Sequence, residues 1–182
     1  MSTPHAEAAE VVAFWRAAGP QRWFKKDAAF DAGFRDRFLG LHERAAMGAL
    51  DGWAASADGA LALLILLDQF PRNAFRDTAR MYATDAPAGR IARAALDRGL
   101  DLEVPEDLRN FIYLPLMHSE DPQDHLLCVA KTAPLGEDTQ RFALHHQDII
   151  RRFGRFPHRN AVLGRASTPE EQDFMAQGGF SG

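Results

Sequence analysis

Hydrophobic residues recur along the chain at three- and four-residue spacing, the pattern of helices that bury one face. The pattern is clearest over residues 27–47, where Asp27 is the predicted N-cap. Glycine and proline separate the helical segments, as Gly19 and Pro20 do after a predicted helix over 6–18. No segment shows the period-two alternation of a strand between hairpin turns. The pattern predicts a single all-α domain of about eight to ten helices.

The remaining helices are predicted from their caps and their breaks. We expect helices over 84–99, 119–134 and 137–153, and a last helix after Thr168. Another helix is expected to begin at Pro105 and to be kinked or ended by Pro115. Three arginines of the helix over 84–99 are expected to face water: Arg90, Arg93 and Arg98. Trp23 and Phe24 are expected to lie in a loop and to pack their aromatic rings against the core. The chain ends, about 1–5 and 178–182, are expected to be flexible.

The stretch from Ala60 to Arg80 combines an apolar run with a polar cluster. Residues 60–67 are apolar on every side, so the helix that they form is expected to be buried all round and to end before Pro71. Asp68 then lies inside the protein, at a helix C-terminus, where its charge is unfavourable without a partner. We expect an arginine just beyond Pro71 to hold it.

A second copy of this pattern lies near the end of the chain. The string Phe-Pro-Arg-Asn at 70–73 is echoed by Phe-Pro-His-Arg-Asn at 156–160, and each follows a helix. We expect the two loops to meet, so that Arg72 and Arg159 form a net positive pocket for an anion. The alternative is that each arginine only binds the carbonyls at a helix end.

Composition narrows the range of functions. The 182 residues are 46% hydrophobic, enough for a substantial core. A net charge of -4 and a pI near 6.0 give no general attraction to nucleic acid or to an anionic membrane. No apolar run is long enough to span a bilayer, and one cysteine, Cys128, excludes an internal disulfide. A cytoplasmic protein is expected; the oligomeric state is left open.

The histidines are the candidates for proton transfer. His146 shares an apolar helix face with Phe142 and should point inward, as a hydrogen-bonded core residue or as a catalytic one. His118, Glu120 and His158 could supply a general acid and base. No metal site is predicted, because the ligand spacings typical of zinc are absent, and no cofactor motif occurs.

The chain contains three long motif strings, LALLILLDQFPRNAFRDT, FIYLPLMHSED and HQDIIRRFGRFPHRNAVLGRASTPEE, together with the pair Trp23 and Phe24. With these motifs it resembles the bacterial helical proteins grouped as domain of unknown function family 924. The resemblance implies a right-handed array of antiparallel helix pairs, a tetratricopeptide-like superhelix, and no established activity. The motif positions carried over are Asp68, Gln69, Arg72, Asn73, Arg76, His118, Ser119, Glu120, His146, Asp148, Arg155, His158, Arg159, Asn160 and Arg165.

Three functions follow from these residues. The favoured one is a site for a small anionic ligand or a peptide carboxylate, because the planar guanidinium group suits both. Its ligand-binding candidates are Asp68, Gln69, Arg72, Asn73, Arg76, Arg155, Arg159, Asn160 and Arg165. The second is an enzyme with His118, Glu120, His146 or His158 as acid or base. The third is a scaffold for protein interactions, in which the same residues only join helices.

Overall fold

A computed structural model describes residues 4–180, and this part of the chain is helical throughout, without strands. Ten α-helices are joined by short turns: α1 (Pro4–Ala18), α2 (Pro20–Trp23), α3 (Ala28–Ala46), α4 (Ala57–Leu64), α5 (Phe70–Ala74), α6 (Asp85–Asp97), α7 (Glu106–Met117), α8 (Pro122–Thr132), α9 (Glu137–Phe153) and α10 (Pro169–Ala176). Single 3-10 turns cover Asp51–Ala55, Ala79–Tyr82, Leu100–Leu102, Ala133–Leu135 and Pro157–Arg159. The all-α prediction is confirmed; the right-handed superhelix remains a prediction.

Helix α4 is the centre of the hydrophobic core. Residues 60–67 have no exposed surface, and they pack against α1, α6 and α7. Gly59 lets the helix begin close to the preceding turn, because a Cβ atom there would lie 2.0 Å from the carbonyl oxygen of Trp53. A smaller apolar cluster joins Ile149, Ile150 and Phe156 to the C-terminal segment. The buried position expected for the central helix is confirmed.

The central helix does not end before Pro71, as was expected. A π turn over Ile65–Gln69 joins α4 to α5, and the helical run continues to Ala74. Proline cannot donate to the carbonyl four residues earlier, but here the hydroxyl of Thr84 donates to that carbonyl, on Leu67. Nδ1 of His42 bonds the carbonyl of Leu66 in the same way. Asp68 therefore sits in the middle of a helical run, and the argument from a helix C-terminus was wrong.

Several caps are confirmed. The Asp27 side chain accepts from the backbone of Ala29 and Phe30, and Thr168 forms a capping box with Glu171. Helix α7 passes through Pro115 without ending, so the predicted break there was wrong; Pro105 is its N-cap rather than its first residue. Trp23 lies in the short helix α2 rather than in a loop.

Other sequence predictions are met only in part at the surface of α6 and α9, where Arg90 and Arg98 are exposed as expected. Arg93 does not only face water, because it binds the buried carboxylate of Asp124 at 2.7 Å. Arg98 donates to the carbonyls of residues 54 and 55. Phe142, expected on the buried face of α9, is 53% exposed, whereas His146 is 5% exposed and points inward as predicted.

The predicted flexible ends are described only in part, since residues 1–3 and 181–182 lie outside the described chain. At the C-terminal end of the described range, residues 178–180 pack against α10 and the histidines. The backbone of Gly179 donates to the carbonyl of Phe174, and a Cβ atom at Gly179 would lie 2.6 Å from that oxygen. This close approach brings the ring of Phe180 onto the histidines described below.

Candidate functional site

The π turn places the carboxylate of Asp68 inside the protein, with 1% of the side chain exposed. Nδ1 of His118 donates to Oδ1 of Asp68 at 2.7 Å, and Nη1 of Arg72 lies 3.2 Å from the same oxygen. The amide of Gln69 donates to Oδ2. Burial alone would raise the pKa of Asp68, but Arg72, His118 and Gln69 outweigh it and lower the pKa to about 2. The prediction that an arginine holds Asp68 is confirmed.

The two echoed loops meet on one carboxylate, that of Asp85. Arg72 donates to both of its oxygens at 2.8 and 3.0 Å, and Nη1 of Arg159 donates to Oδ2 at 3.1 Å. Nη2 of Arg159 also donates to the carbonyl of His118 at 2.9 Å. The arginines of the two echoed segments therefore come together as predicted, through Asp85, which the sequence analysis did not identify as their partner.

We call Asp68, Arg72, Asp85, His118 and Arg159 the Asp68 network. Two arginines face two carboxylates, and His118 adds no charge at neutral pH because burial and the nearby Arg72 lower its pKa. The net positive pocket expected from the sequence is therefore not formed, since Asp85 balances the second arginine. Nε of Arg159 is a remaining polar atom, buried without a hydrogen-bond partner.

The asparagines of the two loops do not meet. Nδ2 of Asn160 donates to Oε2 of Glu171 at 3.0 Å, and Oδ1 of Asn160 accepts from Arg165. Arg155 donates to both oxygens of Glu171 at 2.6 and 2.8 Å, and this pair of bonds, more than any other contact, lowers the pKa of Glu171 to about 2. Asn160, Arg155 and Glu171 thus join α10 to the loop after α9.

Glu120 belongs to the same C-terminal connection and not to a pair with His118. Arg165 donates to its two oxygens at 2.7 and 3.0 Å, and the backbone of Phe156 donates at 2.8 Å. Burial would raise the pKa of Glu120, but the bonds from Arg165 and Phe156 lower it. Because both of its oxygens are occupied, Glu120 is not available as the acid or base partner of His118 or His158.

Three of the histidines cluster beside the Asp68 network. The rings of His118 and His146 are 6.4 Å apart, and the ring of Phe180 packs 4.6 Å from His146 and 5.1 Å from His158. Burial and, to a smaller extent, the neighbouring His118 lower the pKa of His146 to about 3. Burial and the neighbouring arginines 159 and 72 lower the pKa of His158 to about 4. We call His118, His146 and His158 the histidine group.

Asn73 and Arg76 lie at a separate, open site. Nδ2 of Asn73 and Nε of Arg76 donate to the carboxylate of Asp31 at 2.7 and 2.8 Å. These residues line a cleft of about 300 Å³ together with Lys26, Arg35 and three alanines. We call Lys26, Asp31, Arg35, Asn73 and Arg76 the Asp31 cleft. Its three cations face one carboxylate, a formal charge of about +2.

Sequence reasoning missed the acidic partners of the motif arginines. These partners are Asp31, Asp85 and Glu171, and the cleft residues Lys26 and Arg35 were missed with them. The one available signal was indirect: buried arginines need carboxylates, and five arginines stood against three acids among the motif positions. That signal gives a number of partners but not their positions.

The described chain offers no group of three or more histidine, cysteine or acidic side chains arranged to hold a metal ion. Between Pro4 and Phe180, none of the helices combines the length and the apolar character that crossing a membrane requires. Cys128 is buried, and burial raises the pKa of its thiol to about 12.

Comparisons with known proteins give a family and a fold without an activity. Residues 11–179 match the profile of a family described as bacterial proteins of unknown function, DUF924. The solved structure of a protein of unknown function from Agrobacterium tumefaciens is 51% identical in sequence, with a TM-score of 0.92 over 95% of this chain and 98% of that chain. No curated protein matches the chain. The function therefore has to be inferred from the geometry of the sites.

Proposed function

We propose that this chain, which belongs to the DUF924 family of bacterial proteins, binds a small anionic molecule in the Asp31 cleft. The observation that carries the proposal is the charge of the cleft lining, in which Lys26, Arg35 and Arg76 accompany one carboxylate, that of Asp31. A volume of about 300 Å³ is at the lower end of the range for ligand sites and suits a molecule with one phosphate, sulfate or carboxylate group.

The arrangement of Arg76 supports this proposal. Its Nε and Nη2 bind Asp31, so the guanidinium group is held in place, and Nη1 makes no hydrogen bond within the described chain. About 29% of the Arg76 side chain is exposed, which leaves this edge accessible from solvent. Lys26 makes no ion pair with any described residue, and Arg35 contacts only the exposed Asp36, at 3.6 Å. An anion would therefore meet a fixed donor and two cations that are free to approach it.

The Asp68 network is a poorer site for an anion. Its arginines already bind carboxylates, and an added anion would have to compete with Asp68 and Asp85 for the same donors. Neither of the two cleft-like cavities described here opens onto it. The buried, unpaired Nε of Arg159 is the feature that would favour an anion there, and the experiment below distinguishes the two places.

The test is a calorimetric titration of the protein with inorganic phosphate at low ionic strength. Saturable binding is expected, and the double variant Lys26→Ala/Arg35→Ala should weaken it by about tenfold or more, a loss of about 1.4 kcal/mol. The matched control is Arg90→Ala/Arg141→Ala, which removes two exposed arginines elsewhere and should change the affinity less than about twofold. Equal losses in both variants would mean that net charge alone attracts phosphate, and unchanged binding in both would move the anion to Arg159.

Proton transfer by His118 is a second candidate, favoured by one specific observation. Nδ1 of His118 is held by the carboxylate of Asp68 at 2.7 Å, and Nε2 makes no hydrogen bond to any described residue. This arrangement fixes the tautomer with the lone pair on Nε2, which is the geometry of a general base. Its lowered pKa keeps the ring neutral at pH 7, although it also makes the base weaker.

The enzyme candidate is tested with an activated ester, p-nitrophenyl acetate, whose hydrolysis responds to an accessible imidazole. The protein should release nitrophenol faster than the same concentration of free imidazole, and His118→Gln should remove the excess. The control His145→Gln changes an exposed histidine that takes part in none of the hydrogen bonds of the Asp68 network. This variant should retain the rate. An excess rate that survives in His118→Gln, or a rate no higher than that of imidazole, would exclude this candidate.

A further inference from the structure

A larger cleft lies between α2, the start of α7 and the start of α9. Its volume is about 540 Å³, well within the range of small-molecule sites. The apolar part of its wall is formed by Pro20, Trp23, Phe24, Phe111 and Leu135. None of these residues belongs to the Asp31 cleft, the Asp68 network or the histidine group, so the cleft is a separate feature of the molecule.

Aromatic rings dominate the apolar wall. The rings of Trp23 and Phe111 meet edge to face at 5.0 Å, and Phe24 stacks on Phe111 at 6.0 Å. Nε1 of Trp23 donates to the carbonyl of Trp15 at 2.7 Å, which fixes the orientation of the indole. Phe24 is 67% exposed, although most of the large apolar side chains are covered. The electron-rich faces of such rings attract cations, most strongly organic ammonium ions.

The polar part of the wall carries acceptors and no basic side chain. It consists of Glu106, Asp107, Asn110 and Thr139. Arg16 already binds Asp107 at 3.0 and 3.2 Å, whereas Glu106 makes no ion pair within residues 4–180. Oδ1 of Asn110 is buried without a partner. The cleft thus lacks a positively charged hydrogen-bond donor.

The acidic residues alone have a simpler explanation, because Glu106 and Asp107 stand in the first turn of α7 and offset the partial charge of its N-terminus. That charge is roughly half of one elementary charge, so the unpaired carboxylate of Glu106 exceeds it. The helix dipole also explains neither the exposed ring of Phe24 nor the unpartnered amide of Asn110. These independent features lie on the same cleft.

We propose that this cleft binds a small organic cation, an ammonium group with apolar substituents. The cation would lie against the exposed ring of Phe24, with Glu106 supplying the opposite charge. Trp23 and Phe111 are buried behind Phe24, and Phe111 supports it by stacking. The amide of Asn110 would gain the hydrogen-bond partner that it lacks in the protein alone. The proposed ligand thus carries the opposite charge to the one proposed for the Asp31 cleft.

The test compares choline with 3,3-dimethyl-1-butanol, which has the same shape without the charge. Binding is followed by the chemical shifts of the side-chain indole and amide groups of Trp23 and Asn110 in the full-length protein. Choline should bind saturably, and the neutral alcohol should bind at least about tenfold more weakly. Equal affinity for the two would overturn the proposal, because the cleft would then be only an apolar pocket.

Phe24→Ala is the informative variant, since its ring is exposed and its removal should leave the protein folded. The affinity for choline should fall by about fivefold or more, which corresponds to an exposed cation–π contact of about 1 kcal/mol. Phe142→Ala removes another exposed ring elsewhere and should have no effect, and Glu106→Gln should weaken choline binding without changing that of the alcohol. Unchanged binding in Phe24→Ala would overturn the proposal, as would a cleft closed by a second copy of the chain, detected as self-association that Phe24→Ala abolishes.

Discussion

The Asp68 network and the Asp31 cleft are built from the same kinds of side chain and differ in what surrounds them. In the network, Asp68 and Arg159 are 1% and 7% exposed, and each arginine finds a carboxylate. In the cleft, the side chain of Arg76 is 29% exposed and binds Asp31, the one carboxylate of a lining that also holds Lys26 and Arg35. The first region is closed and electrically balanced, whereas the second is open and positive.

The difference shows that an arginine motif does not by itself identify a binding site. A buried ion pair stabilises little on balance, but removing one member is costly because the other is left without a partner. An arginine at the edge of a cleft contributes less to stability and keeps free donors for a ligand. The two regions should therefore respond oppositely to substitution: the network through the free energy of unfolding, and the cleft through affinity.

The largest expected effect is that of Asp68→Ala. It should lower the free energy of unfolding by about 2 to 4 kcal/mol, because Arg72 and His118 both lose a buried acceptor. The matched change Asp31→Ala should cost about 1 kcal/mol, since its partners are partly solvated. Urea denaturation measures both values. Equal losses would remove the distinction between the two regions.

The next expected effect is a loss of stability as the pH is lowered. Unfolded histidines take up a proton near pH 6.5, but folded His146 and His158 do so only near pH 3 and 4. Because the unfolded state binds more protons between these values, stability should fall as the pH is lowered from 6.5 towards 4. Each buried histidine adds about 1.4 kcal/mol per pH unit to this slope. Asp68 does not contribute there: its stabilisation is complete above about pH 4 and is lost as the pH falls through about 2.

His158→Gln tests whether the buried His158, beside the Asp68 network, contributes to this dependence of stability on pH. The slope of unfolding free energy against pH near pH 5 should decrease by about 1.4 kcal/mol per unit. Gln123→Ala is the control, because it changes an exposed side chain of α8 that does not titrate, and it should leave the slope unchanged. The same slope in both variants would mean that His158 titrates freely in the folded protein.

A smaller effect is expected from Asp31→Asn. The amide is nearly the same size as the carboxylate but keeps only one acceptor oxygen, so one bond from Arg76 or Asn73 is lost while the formal charge of the cleft rises by one unit. Phosphate affinity should increase by about threefold, a gain of about 0.7 kcal/mol. Asp85→Asn makes the same chemical change in the Asp68 network and should not strengthen phosphate binding. A gain in that variant would place the anion at Arg159.

The smallest effect serves as the baseline for an exposed ion pair. Asp148, one of the motif positions, binds Arg151 and lies near Arg152 on the surface of α9. Asp148→Ala should change the free energy of unfolding by no more than about 0.5 kcal/mol, because exposed pairs are screened by solvent. Thermal unfolding at two salt concentrations is a sufficient measurement. A loss close to that of Asp68→Ala would show that burial is not what separates the two regions.

The sequence predicted the all-α fold because periodicity and caps are local properties of the chain. Asp27 and Thr168 were recognised as caps from their neighbours alone, and the apolar run over 60–67 was enough to place α4 in the core. The family expected from the long motif strings is confirmed by the match over residues 11–179. These features depend on residues that are close in sequence.

The continuous helix through Pro71 could not be predicted in the same way. The helix tolerates Pro71 because the hydroxyl of Thr84, from a different part of the chain, donates to the carbonyl of Leu67. A rule that treats proline as a helix end has no access to that contact. The π turn over Ile65–Gln69 contains Asp68 and sets the direction in which its side chain points.

The candidate site was predicted for its residue types and only partly for its pairing. Arg72 and Arg159 meet as expected, but Asp85 cancels the positive charge that the prediction assigned to them. Asn73 and Arg76 turn instead towards Asp31, 42 and 45 residues earlier in the chain. Charge balance is a property of the folded assembly of side chains, so the motif strings alone could not give it.

The most direct test of the account follows the side-chain amides of Asn73 and Asn160 in one phosphate titration by nuclear magnetic resonance. These matched residues come from the two echoed loops, one in the Asp31 cleft and the other beside the Asp68 network. The account predicts that the Asn73 signal shifts saturably while the Asn160 signal stays in place. A saturable shift of Asn160 with Asn73 unchanged would contradict it.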